Sequence, residues 1–174
     1  HNNGVLFTLN DKVKYFPNVF EYLRTDPDLD SVASFLHGYS IYEFDAEQSV
    51  PGGIVNGQTV YLDSVFVLQN DLFRQIGRIN SEDSTYWMVA PTNEVWKNLV
   101  EEYSNYFVYA PEKGEGEAAK RERDSLSYLY PRLFMLYGAV FSRTNNPDAA
   151  IQDSAMSVNA IPYQYRENTY GFTD

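Results

Sequence analysis

Apolar residues at helical spacing predict two short helices near the start of the chain. One helix is expected over residues 19–23, directly after Asn18, whose side chain suits an N-cap position. The next apolar stripe covers residues 32–36, with Asp30 as its expected cap. Gly38 follows this stripe and is expected to end the second helix in the left-handed conformation.

The pattern changes to β-forming residues between positions 50 and 90. Asn56 and Gly57 separate two runs of β-forming residues, which is a strong signal for a tight hairpin. A further apolar run at 64–68 is expected to be a strand or a buried segment. Residues 84–90 are apolar on both faces, which fits a central strand covered on two sides, and Pro91 ends it.

Helical spacing returns in three later segments. A short helix is expected over 72–76, ending at Gly77, and a longer one over 95–103. Apolar positions continue at helical spacing from residue 117 to residue 141, with a break or kink at Pro131. After that segment the chain becomes polar and irregular, so no further element is predicted.

The two tryptophans allow two interpretations, stacking on a sugar or packing in the core. Trp87 lies in the middle of the apolar strand, and Trp96 lies on the apolar stripe of the helix that follows. These positions favour core packing. We therefore expect Trp87, Val89, Trp96 and Leu99 to be mostly buried together, strand against helix.

Charge and composition exclude several classes of partner and chemistry. The chain has 174 residues, of which 24 are acidic and 13 basic, and its net charge of −11 disfavours nucleic acid and anionic lipid as partners. It has no cysteine, which excludes disulfides, thiolate nucleophiles and cysteine-ligated metals. No apolar run approaches the roughly 20 residues that a membrane span needs. A signal segment or a lipid-anchor cysteine upstream of His1 is left open.

Candidate metal and cofactor ligands are few. Asp26, Asp28 and Asp30 alternate as at the start of a calcium-binding loop, but Ser31 stands where that loop needs glycine. Helix capping is the better explanation of these residues, and no cofactor is expected. His37 is expected to be structural, because a catalytic or metal-binding histidine needs partner residues that the sequence does not provide.

Paired carboxylates would be needed for glycoside hydrolysis. Asp63, Glu82, Asp83 and Glu94 lie near aromatic residues, but 24 acidic residues make such proximity ordinary. Glu94 falls in the first turn of a predicted helix, where a carboxylate interacts favourably with the helix dipole. We therefore expect a non-catalytic protein, without a pocket in which titratable groups with strongly shifted pKa values converge.

Residues 85–96, Thr-Tyr-Trp-Met-Val-Ala-Pro-Thr-Asn-Glu-Val-Trp, resemble the first signature of fasciclin domains. In that signature a β-strand ends in Ala-Pro-Thr, followed by Asp or Asn, Glu, a small residue and an aromatic residue. Thr92 or Asn93 is expected to cap the helix that follows. Residues 18–38 resemble the opening helices of the family. The signature positions, mainly structural in role, are Ala90, Pro91, Thr92, Asn93 and Glu94.

The resemblance implies an α+β fold in which helices pack on a small β-sandwich or wedge. An inserted hairpin would lie between the opening helices and the signature strand. Residues 1–17 would form an N-terminal arm and residues 18–174 a single domain. The family's Tyr-His signature has no counterpart, because His1 and His37 are the only histidines. Its closing strands are not evident, which leaves open whether they are trimmed or degenerate.

The resemblance also implies a function, that of a bacterial cell-surface adhesion or ligand-binding module that binds a protein or a glycan. An accessory glycan-binding protein of a surface nutrient-uptake system is the alternative, and a glycoside hydrolase is less favoured. The expected location is extracellular, at the cell surface or anchored to the outer membrane. Tyrosine-rich segments offer rings with a polar tip for contacts. The candidate partner-binding residues are Tyr106, Tyr109, Tyr163 and Tyr165.

Overall fold

The structure is a computed structural model that describes residues 8, 10–12, 14–109, 116–142, 154–160 and 162–164. Helices and small antiparallel sheets are mixed along this part of the chain, in agreement with the α+β class. The helices are α1 (Val19–Tyr22), α2 (Asp30–Gly38), α3 (Phe73–Ile76), α4 (Asn93–Ser104) and α5 (Glu117–Leu136). The strands are β1 (Ser40–Val55), β2 (Gln58–Asn70), β3 (Tyr86–Met88), β4 (Val140–Ser142), β5 (Ser154–Met156) and β6 (Pro162–Gln164).

The start of α1 has the cap that the sequence predicts. The backbone N–H of Glu21 donates to Asn18 Oδ1 at 3.0 Å, and the Asn18 N–H donates to the Glu21 carboxylate at 3.2 Å. This reciprocal pair is a capping box. The predicted cap of α2 is wrong, because Asp30 is already helical and Leu29 precedes the helix. Gly38 ends α2 but does not have a positive φ angle.

β1 and β2 form one long antiparallel hairpin, Ser40–Asn70, which we call the hairpin. Asn56 and Gly57 connect its strands with φ angles of 52° and 80°, the left-handed pair that a type I′ turn requires. The predicted turn is therefore confirmed. The hairpin is longer than the pattern suggested, since the apolar run at 64–68 belongs to β2 rather than to a separate element.

The strand predicted at 84–90 is shorter and less covered than expected. β3 has three residues, all half-buried, and pairs with β4 through Trp87 and Phe141. β4 itself was expected to be helical, but α5 ends at Leu136 and Gly138 turns the backbone with a φ angle of 91°. The described strands form three separate two-stranded sheets.

The core lies where α2, α3, α4, the end of α5 and β4 meet. Trp96 is 7% exposed and packs against Phe35 with 5.5 Å between ring centroids, as the helical stripe predicts. Trp87, Val89 and Leu99 are half-buried and are not among the residues that pack in the core cluster. The alternate residues of this segment, Tyr86, Met88 and Ala90, pack against the core instead, because successive strand side chains point to opposite faces.

The part of the chain beyond Ser142 contains strands that the sequence analysis did not predict. The backbones of β5 and β6 pair as a short antiparallel ladder. The turn between them reaches back to the core, where the Val158 N–H donates to the Val140 carbonyl at 2.9 Å. This contact places residues 157–160 against β4 and the end of α3.

Candidate functional site

Residues 90–94 lead from β3 into the first turn of α4. Ala90 packs against the core and Pro91 is half-buried, while Thr92 and Glu94 are exposed. The Thr92 side chain makes no capping bond to α4, although Thr92 stands at the cap position. The expectation that Thr92 or Asn93 caps α4 is therefore wrong.

Asn93 caps a different helix. Its Oδ1 accepts the Ser31 N–H in the first turn of α2 at 2.8 Å, and its amide donates to the Pro27 carbonyl at 2.8 Å. α2 has no side-chain cap of its own. The two bonds fasten the start of α4 to the start of α2, which explains an asparagine here without invoking a ligand.

Aromatic side chains from the end of α4, from residues 105–109 and from α5 form a continuous patch, which we call the aromatic surface. Tyr106 is 73% exposed, and Tyr130 and Phe134 are also exposed. Each ring contacts the next at centroid distances between 5.3 and 6.4 Å. The residues in order of contact are Tyr106, Tyr103, Phe134, Phe107, Tyr130 and Tyr109.

The aromatic surface contains two of the four tyrosines proposed from the sequence. Tyr106 lies at one end of the row of rings and Tyr109 at the other, where burial and the neighbouring Tyr130 raise the Tyr109 pKa. Tyr163 lies in β6, but its side chain is outside the described structure, as is the whole of Tyr165. The sequence analysis missed the α5 residues of this surface. Tyr130 and Phe134 are spaced i, i+4, which makes them neighbours on the surface of one helix, and this spacing was the available signal.

A cleft of about 650 Å³ lies between the N-terminal arm, α1, the end of α2 and the base of the hairpin. Its floor is apolar and its rim carries several titratable groups. The lining residues are Tyr15, Pro17, Asn18, Phe20, Glu21, Arg24, Thr25, His37, Tyr42, Leu68, Asn80 and Glu82.

Asn18 forms hydrogen bonds with both carboxylates on the acidic side of the cleft. Its backbone N–H donates to Glu21, and its side-chain amide donates to Glu82 Oε1 at 2.8 Å. The Tyr15 hydroxyl also donates to the Glu21 carboxylate. This hydrogen bond is the main reason why the pKa of Tyr15 is raised to about 12. Tyr15 therefore stays a neutral phenol at physiological pH.

His37 forms the opposite wall of the cleft. Its ring stacks on Phe20 with 3.9 Å between centroids, and its Nε2 is buried without a hydrogen-bond partner among the described residues. Burial lowers the pKa of His37, and the charge of Arg24 lowers it further. The lowered pKa favours the neutral imidazole, and the stacking on Phe20 gives its ring a packing contact.

The cleft brings together two titratable groups whose pKa values are shifted, and of these only the shift of Tyr15 is large. Tyr15 and His37 both line it, and their pKa values move in opposite directions. The arm and α2 bring these groups together, which no local pattern in the sequence indicated. Both cleft carboxylates accept hydrogen bonds within the cap of α1. Of the acidic residues considered for glycoside hydrolysis, only Glu82 lines this cleft.

The candidate calcium ligands also have local roles. Asp26 Oδ1 accepts the Asp28 N–H at 3.0 Å and thereby caps the 3-10 turn at Pro27–Leu29. No cluster of three or more histidine, aspartate or glutamate side chains suited to a metal ion occurs within the described ranges.

Comparison with known proteins found no relative of this chain. The chain matches no protein-family model, no curated protein and no solved structure. None of the helices in the described part of the chain is long and apolar enough to cross a membrane. The candidate sites are therefore interpreted from their own geometry.

Proposed function

We propose that this chain is a non-catalytic binding module of the bacterial cell surface, with the aromatic surface as its binding face. The observation that carries the proposal is the unbroken row of six aromatic rings between Tyr106 and Tyr109. Exposed aromatic residues are otherwise costly to leave in water, and contiguous apolar patches of this kind are typical of binding sites.

The rings are held in place before any ligand arrives. Phe107 and Tyr130 lie nearly parallel, with an interplanar angle of 15°, and Tyr103 meets Phe134 edge to face at 82°. Such pairs restrict side-chain rotation, so little conformational entropy remains to be lost on binding. Tyrosine adds a hydroxyl to a flat apolar ring, which suits a surface that contacts polar ligands.

Two features favour a glycan as the ligand, in the manner of an accessory protein of a nutrient-uptake system. Flat rings with hydroxyl tips can contact the apolar face of a sugar and hydrogen-bond its hydroxyl groups. The net charge of −11 disfavours anionic ligands, so a neutral glycan is the better match. The alternative ligand is a protein of the cell surface, to which this chain would adhere through the same rings.

A divergent fasciclin-like fold is part of the proposal. The order of helices, short strand and helix around residues 85–96 supports it. The long hairpin between α2 and β3 is consistent with the insertion that the resemblance implies. A surface location, with a lipid anchor outside this chain, is proposed on the resemblance alone.

The direct test is an array of neutral and anionic glycans, followed by titration of each hit and of a panel of surface proteins. Tyr106→Ala should weaken binding by about tenfold, because truncation of an exposed tyrosine that a ligand contacts often costs about 1–2 kcal/mol. Tyr22→Ala is the matched control, since Tyr22 is an exposed tyrosine of α1 outside the aromatic surface. Equal affinity of the two variants for every ligand found would refute the assignment of the binding face.

A further inference from the structure

We propose that the outer edge of β2 accepts an extended, basic segment of a partner protein, which pairs with it as an additional strand. This surface is separate from the aromatic surface on α4 and α5 and is independent of the ligand bound there. The proposal rests on three observations. The strand has an open edge, an apolar face lies beside that edge, and the charged residues of the hairpin are all acidic.

The edge of β2 is long and regular. β2 runs for thirteen residues without glycine or proline, and within the described part of the chain it pairs with β1 alone. β1 is a poor edge for pairing, because it contains Pro51 and its register shifts three times between Asp45 and Gly53. An added strand would therefore pair with β2.

The direction of the backbone groups follows from one hydrogen bond. The Val65 N–H donates to Ser49 Oγ at 2.9 Å, so this amide points toward β1. Backbone groups of successive strand residues alternate in direction, so the amides of Ser64 and Phe66 point away from β1. Both residues are exposed. Their backbone groups are available to an incoming strand, as in β-strand addition.

An apolar face lies directly beside this edge. Phe44 pairs with Phe66 across the ladder and Tyr42 pairs with Leu68, which puts all four side chains on one face. Phe44 also contacts Tyr61, with 4.7 Å between ring centroids. Phe66 remains 57% exposed and Tyr42 72%. Alternate apolar side chains of an added strand would extend this face.

The negative charge of the hairpin indicates that the partner segment is basic. Residues 40–70 contain four acidic residues, Glu43, Asp45, Glu47 and Asp63, and no lysine, arginine or histidine. A second copy of this chain would bring the same charges to the edge and be repelled. A segment that alternates basic and apolar residues matches both the charge and the aromatic face.

The test uses the full chain and a short labelled peptide that alternates lysine and valine. The expected result is saturable binding that weakens in high salt, with no binding of a matched glutamate–valine peptide. The lysine–valine peptide with every backbone amide methylated keeps its charge but cannot pair as a strand, so its binding should be lost. Binding of the methylated peptide with equal affinity would overturn the proposal.

Two protein variants locate the site. Asp63→Asn removes a charge on β2 and should weaken peptide binding about two- to fivefold at low salt. Asp124→Asn, an equal change at an exposed position on α5, should not. Equal effects would refute the assignment to β2, as would a protein that dimerises through this edge in sedimentation experiments. Tyr106→Ala should leave peptide binding unchanged, which separates this result from failure of the proposed glycan site.

Discussion

Asn93 Oδ1 accepts the backbone N–H of Ser31 at 2.8 Å, across 62 positions of sequence. A side chain from the start of α4 thus supplies the cap that α2 lacks. Removal of the side chain would leave an unpaired N–H in the first turn of α2 and break the second bond, to Pro27. Asn93 is therefore expected to stabilise the fold by a measurable amount.

Asn93→Ala should lower the free energy of unfolding by about 1–2 kcal/mol, the usual loss for a helix cap. Urea denaturation followed by circular dichroism measures the change. Thr92→Ala and Asn98→Ala are the controls, because Thr92 makes no cap bond and Asn98 is exposed on α4. A loss for Thr92→Ala as large as that for Asn93→Ala would contradict the assignment.

Trp96→Ala should cost about 3–5 kcal/mol, because it removes a buried indole and leaves a cavity beside Phe35. Val95→Ala, at the neighbouring exposed position, should change stability by less than about 1 kcal/mol. The same denaturation experiment compares the two. A small loss for Trp96→Ala would show that Trp96 is not a central core residue.

Gly77→Ala and Gly38→Ala should have effects of opposite sign. Gly77 has a φ angle of 116°, and an added Cβ would lie 3.0 Å from Val140 Cγ1 and 3.1 Å from Val158 Cγ2. Alanine there should destabilise the fold by about 1–3 kcal/mol. Gly38 has open space around it and no positive φ, so alanine should stabilise by about 0.4–1 kcal/mol. Equal midpoints of thermal unfolding for the Gly77→Ala and Gly38→Ala variants would disprove the described geometry at Gly77.

His37 should make stability depend on pH below its ordinary pKa of 6.5. Its pKa is lower in the folded protein, so the unfolded chain binds more protons between the two values. The contribution of His37 is complete above pH 6.5 and is lost as the pH falls toward the folded value. Urea midpoints between pH 8 and pH 5 measure this slope, which His37→Leu should reduce. An unchanged slope in the variant would assign the dependence to other groups.

The cleft carboxylates should not support hydrolysis. Glu21 and Glu82 both accept hydrogen bonds from Asn18, so each carboxylate already has a partner at the start of α1. A panel of chromogenic glycosides and esters should therefore show no turnover above background. If the protein does show turnover, and Glu82→Gln or Glu94→Gln abolishes it while the fold is retained, the protein is a hydrolase and the binding proposal is wrong.

The sequence by itself determined the features that depend on near neighbours. The capping box of Asn18 and Glu21 joins residues three apart, and the Asn56-Gly57 turn needs only two left-handed residues in a row. The apolar stripe of α2 fixes which of its sides is buried, because helical geometry repeats every 3.6 residues. Each of these features follows from local backbone geometry, which a short window of sequence encodes.

Only the tertiary structure decided which distant groups meet. The helical pattern of α5 continues into Val140 and Phe141, but pairing with β3 makes these residues a strand. Likewise, the sequence does not show that Asn93 caps α2 or that Tyr109 meets Tyr130. These contacts are chosen by chain packing, in which long-range pairing of backbone groups and burial outweigh local preference. The ring contacts of the aromatic surface are of this kind, so only the fold could show which of its rings meet.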